Sequence, residues 1–80
     1  MDKFLSDFKP GERGTVKRLS AEGRIKRRLF DMGITPGAVI TMRKTAPLGD
    51  PIEVNIRGYE LSIRKEEAST VLMEMDGGDK

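Results

Sequence analysis

Two runs of alternating side chains, Ile52-Glu53-Val54-Asn55-Ile56-Arg57 and Glu60-Leu61-Ser62-Ile63-Arg64, flank the dipeptide Gly58-Tyr59. No other feature of this chain restricts its fold as much. Apolar residues at every second position mark half-buried strands, and a glycine between two such runs can open a type II′ two-residue turn. Pairing across Gly58-Tyr59 predicts Ile56 opposite Leu61 and Val54 opposite Ile63 on one face. Arg57 then meets Glu60 and Glu53 meets Arg64 on the other, so apolar groups match and charges oppose.

The rest of the chain fits around that hairpin. Lys9-Pro10-Gly11-Glu12 and Thr35-Pro36-Gly37-Ala38 share a pattern in which Pro takes the second and Gly the third position of a type II turn. Each turn introduces a run rich in β-branched residues, Gly14 to Leu19 and Ala38 to Thr45, and these are expected to be the first two strands. Between them Ile25, Leu29 and Met32 recur at i, i+4 and i+7, the spacing of one short amphipathic helix. Ser20 is its expected N-cap, and Gly33 its expected left-handed C′ residue with Ile34 folding back onto the last turn.

Glu66-Glu67-Ala68 reads as a single helical turn before a last strand over 70–75, and residues 76–80 read as a disordered tail. Five short strands in so small a chain would leave exposed edges as a flat sheet. The expectation is therefore a mainly β fold, an SH3-like five-stranded barrel with one inserted α-helix, formed by residues 1–75. Phe8 and Phe30 are expected in its core.

Eighty residues without cysteine must hold this core without disulfides, which favours a reducing, cytosolic address. The N-terminal residues lack the apolar run of a secretory signal, and no window approaches a membrane span. With neither His nor Cys, the commonest general base and the usual transition-metal ligands are missing, so no enzyme, tight metal site or cofactor is expected. Asp31, Asp50 and Glu53 could offer oxygens to a hard cation, but isolated loop carboxylates more often form turns. Neither a GxxxxGK[ST] loop nor a GxGxxG run is present, and no small-molecule substrate is expected.

What remains is binding. Net charge is only +2, yet residues 9–28 carry eight basic and two acidic side chains, an asymmetry that suits an acidic protein, a nucleic acid or an anionic membrane surface. Arg24, Lys26, Arg27 and Arg28 crowd the helix away from its apolar stripe, either as a solvated face with an Arg27–Asp31 pair or as a recognition surface. The loop Ala46-Pro47-Leu48-Gly49-Asp50-Pro51 is stiffened by two prolines. Leu48 either projects from its tip for docking or folds under as a plug. The chain has no Trp, one Tyr and three Phe, too few aromatics for a polyproline groove or a base-stacking platform. Phosphate gripping by the basic segment keeps nucleic acid as the second reading, and self-association through an open edge as a third.

The segments Arg27-Arg28-Leu29-Phe30-Asp31-Met32-Gly33-Ile34-Thr35-Pro36-Gly37, Ala46-Pro47-Leu48-Gly49-Asp50-Pro51-Ile52-Glu53-Val54, Arg57-Gly58-Tyr59 and Arg64-Lys65, in that order, closely resemble the FeoA family over residues 4 to 75. The resemblance implies an SH3-like barrel of the bacterial ferrous iron uptake system. It also implies a partner, the membrane GTPase-transporter FeoB, which would carry the iron while this domain docks at its cytoplasmic face and modulates GTPase or transport activity. The location implied is cytoplasmic, peripheral to the inner membrane through that partner. Transition-metal binding is a family-level label for which this sequence shows no ligand set. The residues expected to touch the partner are Arg24, Arg27, Arg28, Pro47, Leu48 and Asp50. The fold is also similar to the C-terminal barrel of iron-dependent repressors, but eighty residues leave no room for a helix-turn-helix domain. Phe30 departs from the family, which commonly has an aliphatic residue there.

Overall fold

The structure is a computed structural model describing residues 2–75, so the expected tail over 76–80 lies outside the described residues. Six strands form one antiparallel sheet: β1 (Asp2–Phe4), β2 (Arg13–Leu19), β3 (Val39–Thr45), β4 (Ile52–Ile56), β5 (Tyr59–Ile63) and β6 (Val71–Met75). A 3-10 turn (Leu5–Asp7) follows β1, the helix α1 (Gly23–Asp31) joins β2 to β3, and the one-turn helix α2 (Lys65–Ala68) joins β5 to β6. The expected mainly β architecture with an inserted helix is therefore present, with two refinements. There are six strands in place of five, and the order β1-β6-β2-β3-β4-β5 leaves β1 and β5 as edges with no ladder between them.

The sheet curls without that closing ladder. Lys17 is an extra residue in β2 opposite β6, and Arg43 is an extra residue in β3 opposite β4. Such bulges increase the local right-handed twist and bend the strand. The result is one core: Leu5, Val16, Ile40, Ile52, Val54, Ile56, Ile63 and Met73 from around the sheet meet Leu29 and Ile34 from α1 and its C-terminal turn. Gly14 permits the tight crossing of β2 and β6, since a Cβ there would lie 2.7 Å from the Glu74 carbonyl oxygen.

Both expected type II turns form. Gly11 and Gly37 take φ of +94° and +95°, and Glu12 N–H and Ala38 N–H donate to the carbonyls of Lys9 and Thr35 at 3.0 and 2.9 Å. Helix α1 ends as expected in a Schellman motif. Gly33 (φ +92°) donates to Phe30 O and Ile34 to Leu29 O, each at 2.9 Å, and Ile34 and Leu29 are both fully buried.

Other expectations are corrected. Ser20 does not cap α1: the N-cap is Glu22, and both Ser20 N and Ser20 Oγ donate to the Thr70 carbonyl, extending the β2–β6 pairing. Phe8 is in the core, but Phe30 is exposed, because a residue following Leu29 is rotated about 100° off the apolar stripe. The hairpin turns one residue earlier than Gly58-Tyr59. Ile56 pairs with Tyr59, Val54 with Leu61 and Ile52 with Ile63, around a two-residue turn of Arg57 and Gly58. Their φ values of +52° and +86° are those of a type I′ turn, whose twist matches the strands it joins. Glu53 and Glu60 consequently lie opposite Ser62 and Asn55, and their ion pairs run to β3 instead, Lys44–Glu53 at 3.9 Å and Arg43–Glu60 at 3.2 Å.

Candidate functional site

Helix α1 presents two unlike flanks outside its buried stripe. On one, the Arg28 guanidinium is paired at 3.3 Å with Glu67 on α2. On the other, Gly23, Lys26, Arg27 and Phe30 line a shallow depression, with Lys26 Nζ 5.8 Å from the centre of the Phe30 ring. Arg24 is exposed as well.

The loop between β3 and β4 is rigid for reasons the backbone makes plain. Gly49 N donates to Ala46 O at 2.7 Å and Ala46 N donates to Pro51 O at 3.0 Å, so the loop is closed twice by its own hydrogen bonds. Pro47 and Leu48 occupy the centre of the inner turn, with Pro where type I turns favour it and Gly49 in the fourth position. Leu48 is 95% exposed. Of the two positions the sequence left open, the structure shows the projecting tip.

Asp50 does not share that exposure of function. Its Oδ1 accepts from Lys65 N at 2.9 Å, holding the loop to the start of α2. Two residues on, Glu67 Oε1 accepts from Arg64 N at 3.0 Å, while Oε2 faces Arg28. Glu67 is the one buried charged side chain among the described residues. Thus the helix α2 sits between the two candidate surfaces and is tied to both, by Asp50 from the loop and by Arg28 from α1. Of the six expected site residues, Arg24, Arg27, Pro47 and Leu48 face solvent with no such tie, whereas Arg28 and Asp50 hold the frame.

Sequence reasoning missed a second apolar feature. Met32 and Gly33 at the end of α1, with Ile56, Tyr59 and Leu61 of the hairpin, form a groove of about 270 Å³ rimmed by Asp31, Arg57 and Glu60. Tyr59 is 72% exposed there. The groove depends on the true hairpin register, which moves Tyr59 from the turn into β5. Only the Arg57-Gly58 dipeptide, able to form a type I′ turn, signalled it.

Among the described residues no three His, Cys, Asp or Glu side chains gather in a way that could hold a metal ion. No described helix is long and apolar enough to cross a membrane. Each buried side-chain polar atom among the described residues has a hydrogen-bond partner, so no orphaned group is held ready for chemistry.

A small curled sheet that presents an exposed apolar loop tip and a cationic helix face has the layout of a small β binding domain. Comparison with known proteins gives that class a family. The FeoA domain profile matches residues 4–75, and the chain belongs to the FeoA family. Over 71 residues it is 32% identical to the Fe(2+) transport protein A/Fe(2+) transporter FeoB fusion protein of Porphyromonas gingivalis. That match takes in 89% of this chain and 8% of the fusion protein's length. The solution structure of FeoA from Chlorobium tepidum superposes with a TM-score of 0.89 at 41% identity, covering 98% of this chain and 74% of that one. FeoA of Stenotrophomonas maltophilia, described as an SH3 domain protein and solved with zinc, has a TM-score of 0.78 at 25% identity, covering 90% and 89%. The SH3-like fold expected from sequence is thus the fold of the family.

Proposed function

We propose that this domain docks on the cytoplasmic part of a FeoB-type membrane GTPase-transporter and modulates its GTPase or transport activity. The observation that carries the reading is the Porphyromonas gingivalis relative, in which a segment 32% identical to this chain is part of one polypeptide with the transporter. Covalent linkage holds two modules at an effective concentration of the order of millimolar, an arrangement that suits modules which meet through a surface of modest affinity. Two exposed features suit that role: Leu48, an apolar side chain on a loop already ordered before binding, and the Arg24 and Arg27 cations of α1. Arg28 and Asp50 act one step back, by fixing α2 between these features. Iron travels through the transporter in this reading, and the domain works in the cytoplasm, at the inner membrane only through its partner.

Equilibrium binding of the purified domain to detergent-solubilised transporter from the same source, with and without a GTP analogue, tests the proposal. A labelled RNA in the same moderate salt serves as the control. Saturable transporter binding without RNA binding is expected. RNA binding that falls steeply with salt, with no transporter binding, would replace docking by a nucleic-acid function.

A further inference from the structure

The solvent face of α1 is chemically unlike an ordinary solvated helix face. Gly23, Lys26, Arg27 and Phe30 follow one another at i, i+3, i+4 and i+7, so they form a single line along the helix, roughly opposite the Ile25, Leu29 and Met32 stripe. The helix therefore has an apolar side against the core and a second, cationic side with a large ring at its end. Phe30 lies outside the core cluster and is 41% exposed, and Lys26 and Arg27 beside it are exposed too. The basic residues elsewhere that could compete are in part neutralised: Lys17 by Asp2, Arg28 by Glu67, Arg43 by Glu60 and Lys44 by Glu53. Lys9, Arg18, Arg57, Arg64 and Lys65 are exposed as well, but on α1 three exposed cations, Arg24, Lys26 and Arg27, fall within four consecutive residues beside an exposed ring.

From this arrangement we infer that the outer face of α1 rests on an anionic lipid surface, with Lys26, Arg27 and Arg24 at the level of the headgroups and the Phe30 ring at the edge of the acyl region. Long exposed side chains that form no ion pair among the described residues match the diffuse negative charge of a leaflet, and an aromatic ring on the convex side of a helix lying flat meets a plane, not a groove. A nucleic acid fits less well. The face of Phe30 on which a base would stack already carries the Lys26 ammonium at 5.8 Å. An acidic protein patch would ask for a shape to fit, and the depression lined by Gly23, Lys26, Arg27 and Phe30 is shallow and open. Each lysine or arginine near such a surface strengthens binding about fivefold, so three cations and one ring give a weak, reversible contact. Such a contact orients the free domain on the leaflet without anchoring it; Arg24 and Arg27 also belong to the proposed docking surface, so the leaflet holds this face before the transporter does, and the lipid contact itself needs no transporter.

Flotation of the full chain with vesicles of phosphatidylglycerol and phosphatidylcholine, against phosphatidylcholine alone, is the direct test. Binding to the anionic vesicles only, falling as salt is raised, is expected. Lys26→Gln with Arg27→Gln should weaken it about twentyfold, while the matched pair Arg43→Gln with Lys44→Gln, with the same change of net charge, should leave it within about twofold. Phe30→Ser should weaken it several-fold at every salt concentration, and Leu48→Asp should not change it. All variants alter exposed side chains, and thermal unfolding checks that they fold. Equal losses from the two glutamine pairs would overturn the assignment in favour of diffuse net charge. Absence of vesicle binding at millimolar lipid would overturn it outright, even if the same α1 variants lost binding to the solubilised transporter, in which case this face touches protein.

Discussion

Leu48 and Glu67 are side chains out of place by ordinary rules, one apolar and almost wholly in water, the other charged and buried. Nothing in the fold uses the Leu48 side chain, so Leu48→Asp should change stability by less than about 0.5 kcal/mol. If the tip is a docking anchor, the same change should lower transporter affinity by tenfold or more, as loss of an apolar anchor at an interface centre does. Unchanged affinity would remove the loop from the interface. Glu67 is the reverse case. Glu67→Ala leaves Arg64 N and Arg28 without their partner and frees α2 from α1, at a cost of about 1–3 kcal/mol. In an 80-residue domain that lowers Tm by about 5–15 °C, readable by circular dichroism. The sequence exposed neither role fully. Leu48 is equally compatible with a tip and a plug until the hydrogen bonds of Ala46 close the loop, and Glu67 is legible only as a third-position helix residue reaching back to its N-cap. Phe30 points to the core by its apolar type and to solvent by its angular position on α1, and position decides.

At the scale of elements, local signals were read correctly wherever one residue type has one physical use. The two Pro-Gly turns and the Gly33 terminus of α1 each need a positive φ that glycine supplies. The β4–β5 pair shows where such reading ends. Moving the turn from Gly58-Tyr59 to Arg57-Gly58 shifts every pairing by two residues, which leaves each side chain on the same face, so alternation alone cannot tell the registers apart. Strand β1 was missed for another reason: three residues carry too little pattern, and what holds them is tertiary. Asp2 pairs with Lys17 at 2.8 Å and Lys3 with Glu12 at 2.9 Å. Glu12 also accepts from Lys9 N at 2.7 Å, and this backbone hydrogen bond first, then Lys3, holds its carboxyl below the ordinary value of 4.5. A carboxylate with a depressed folded pKa adds stability above its unfolded value and loses it as pH falls through the folded one. Glu12→Gln should therefore be slightly less stable than wild type at pH 7, by under about 1 kcal/mol since the pair is partly exposed, and the gap should narrow toward pH 3. Denaturant midpoints at the two pH values measure this, and an equal gap at both would assign the effect to packing.

For the whole molecule, what matters is that one buried cluster draws on β2, β3, β4, β5, β6, α1 and the turn after β1 together. No part of it can be lost independently, because the curled sheet has a single inner face and the hydrogen-bond ladder is left open between β1 and β5. A domain of this size has only about 3–5 kcal/mol of net stability, so its core tolerates little. Met73 lies in β6, which pairs with β1 on one side and β2 on the other, and its side chain is fully buried. Truncating it to alanine should cost about 2–5 kcal/mol, comparable to the whole stability. Met73→Ala should then show a large unfolded fraction at 25 °C, with far-UV and near-UV circular dichroism lost in a single coincident transition. Separate transitions for the two signals would mean that the α1 side and the β1–β6–β2 side fold as distinct units. In that case the rigid spacing that α2 sets between the Leu48 loop and α1 would be a local arrangement, able to change when a partner binds, instead of a property of the fold.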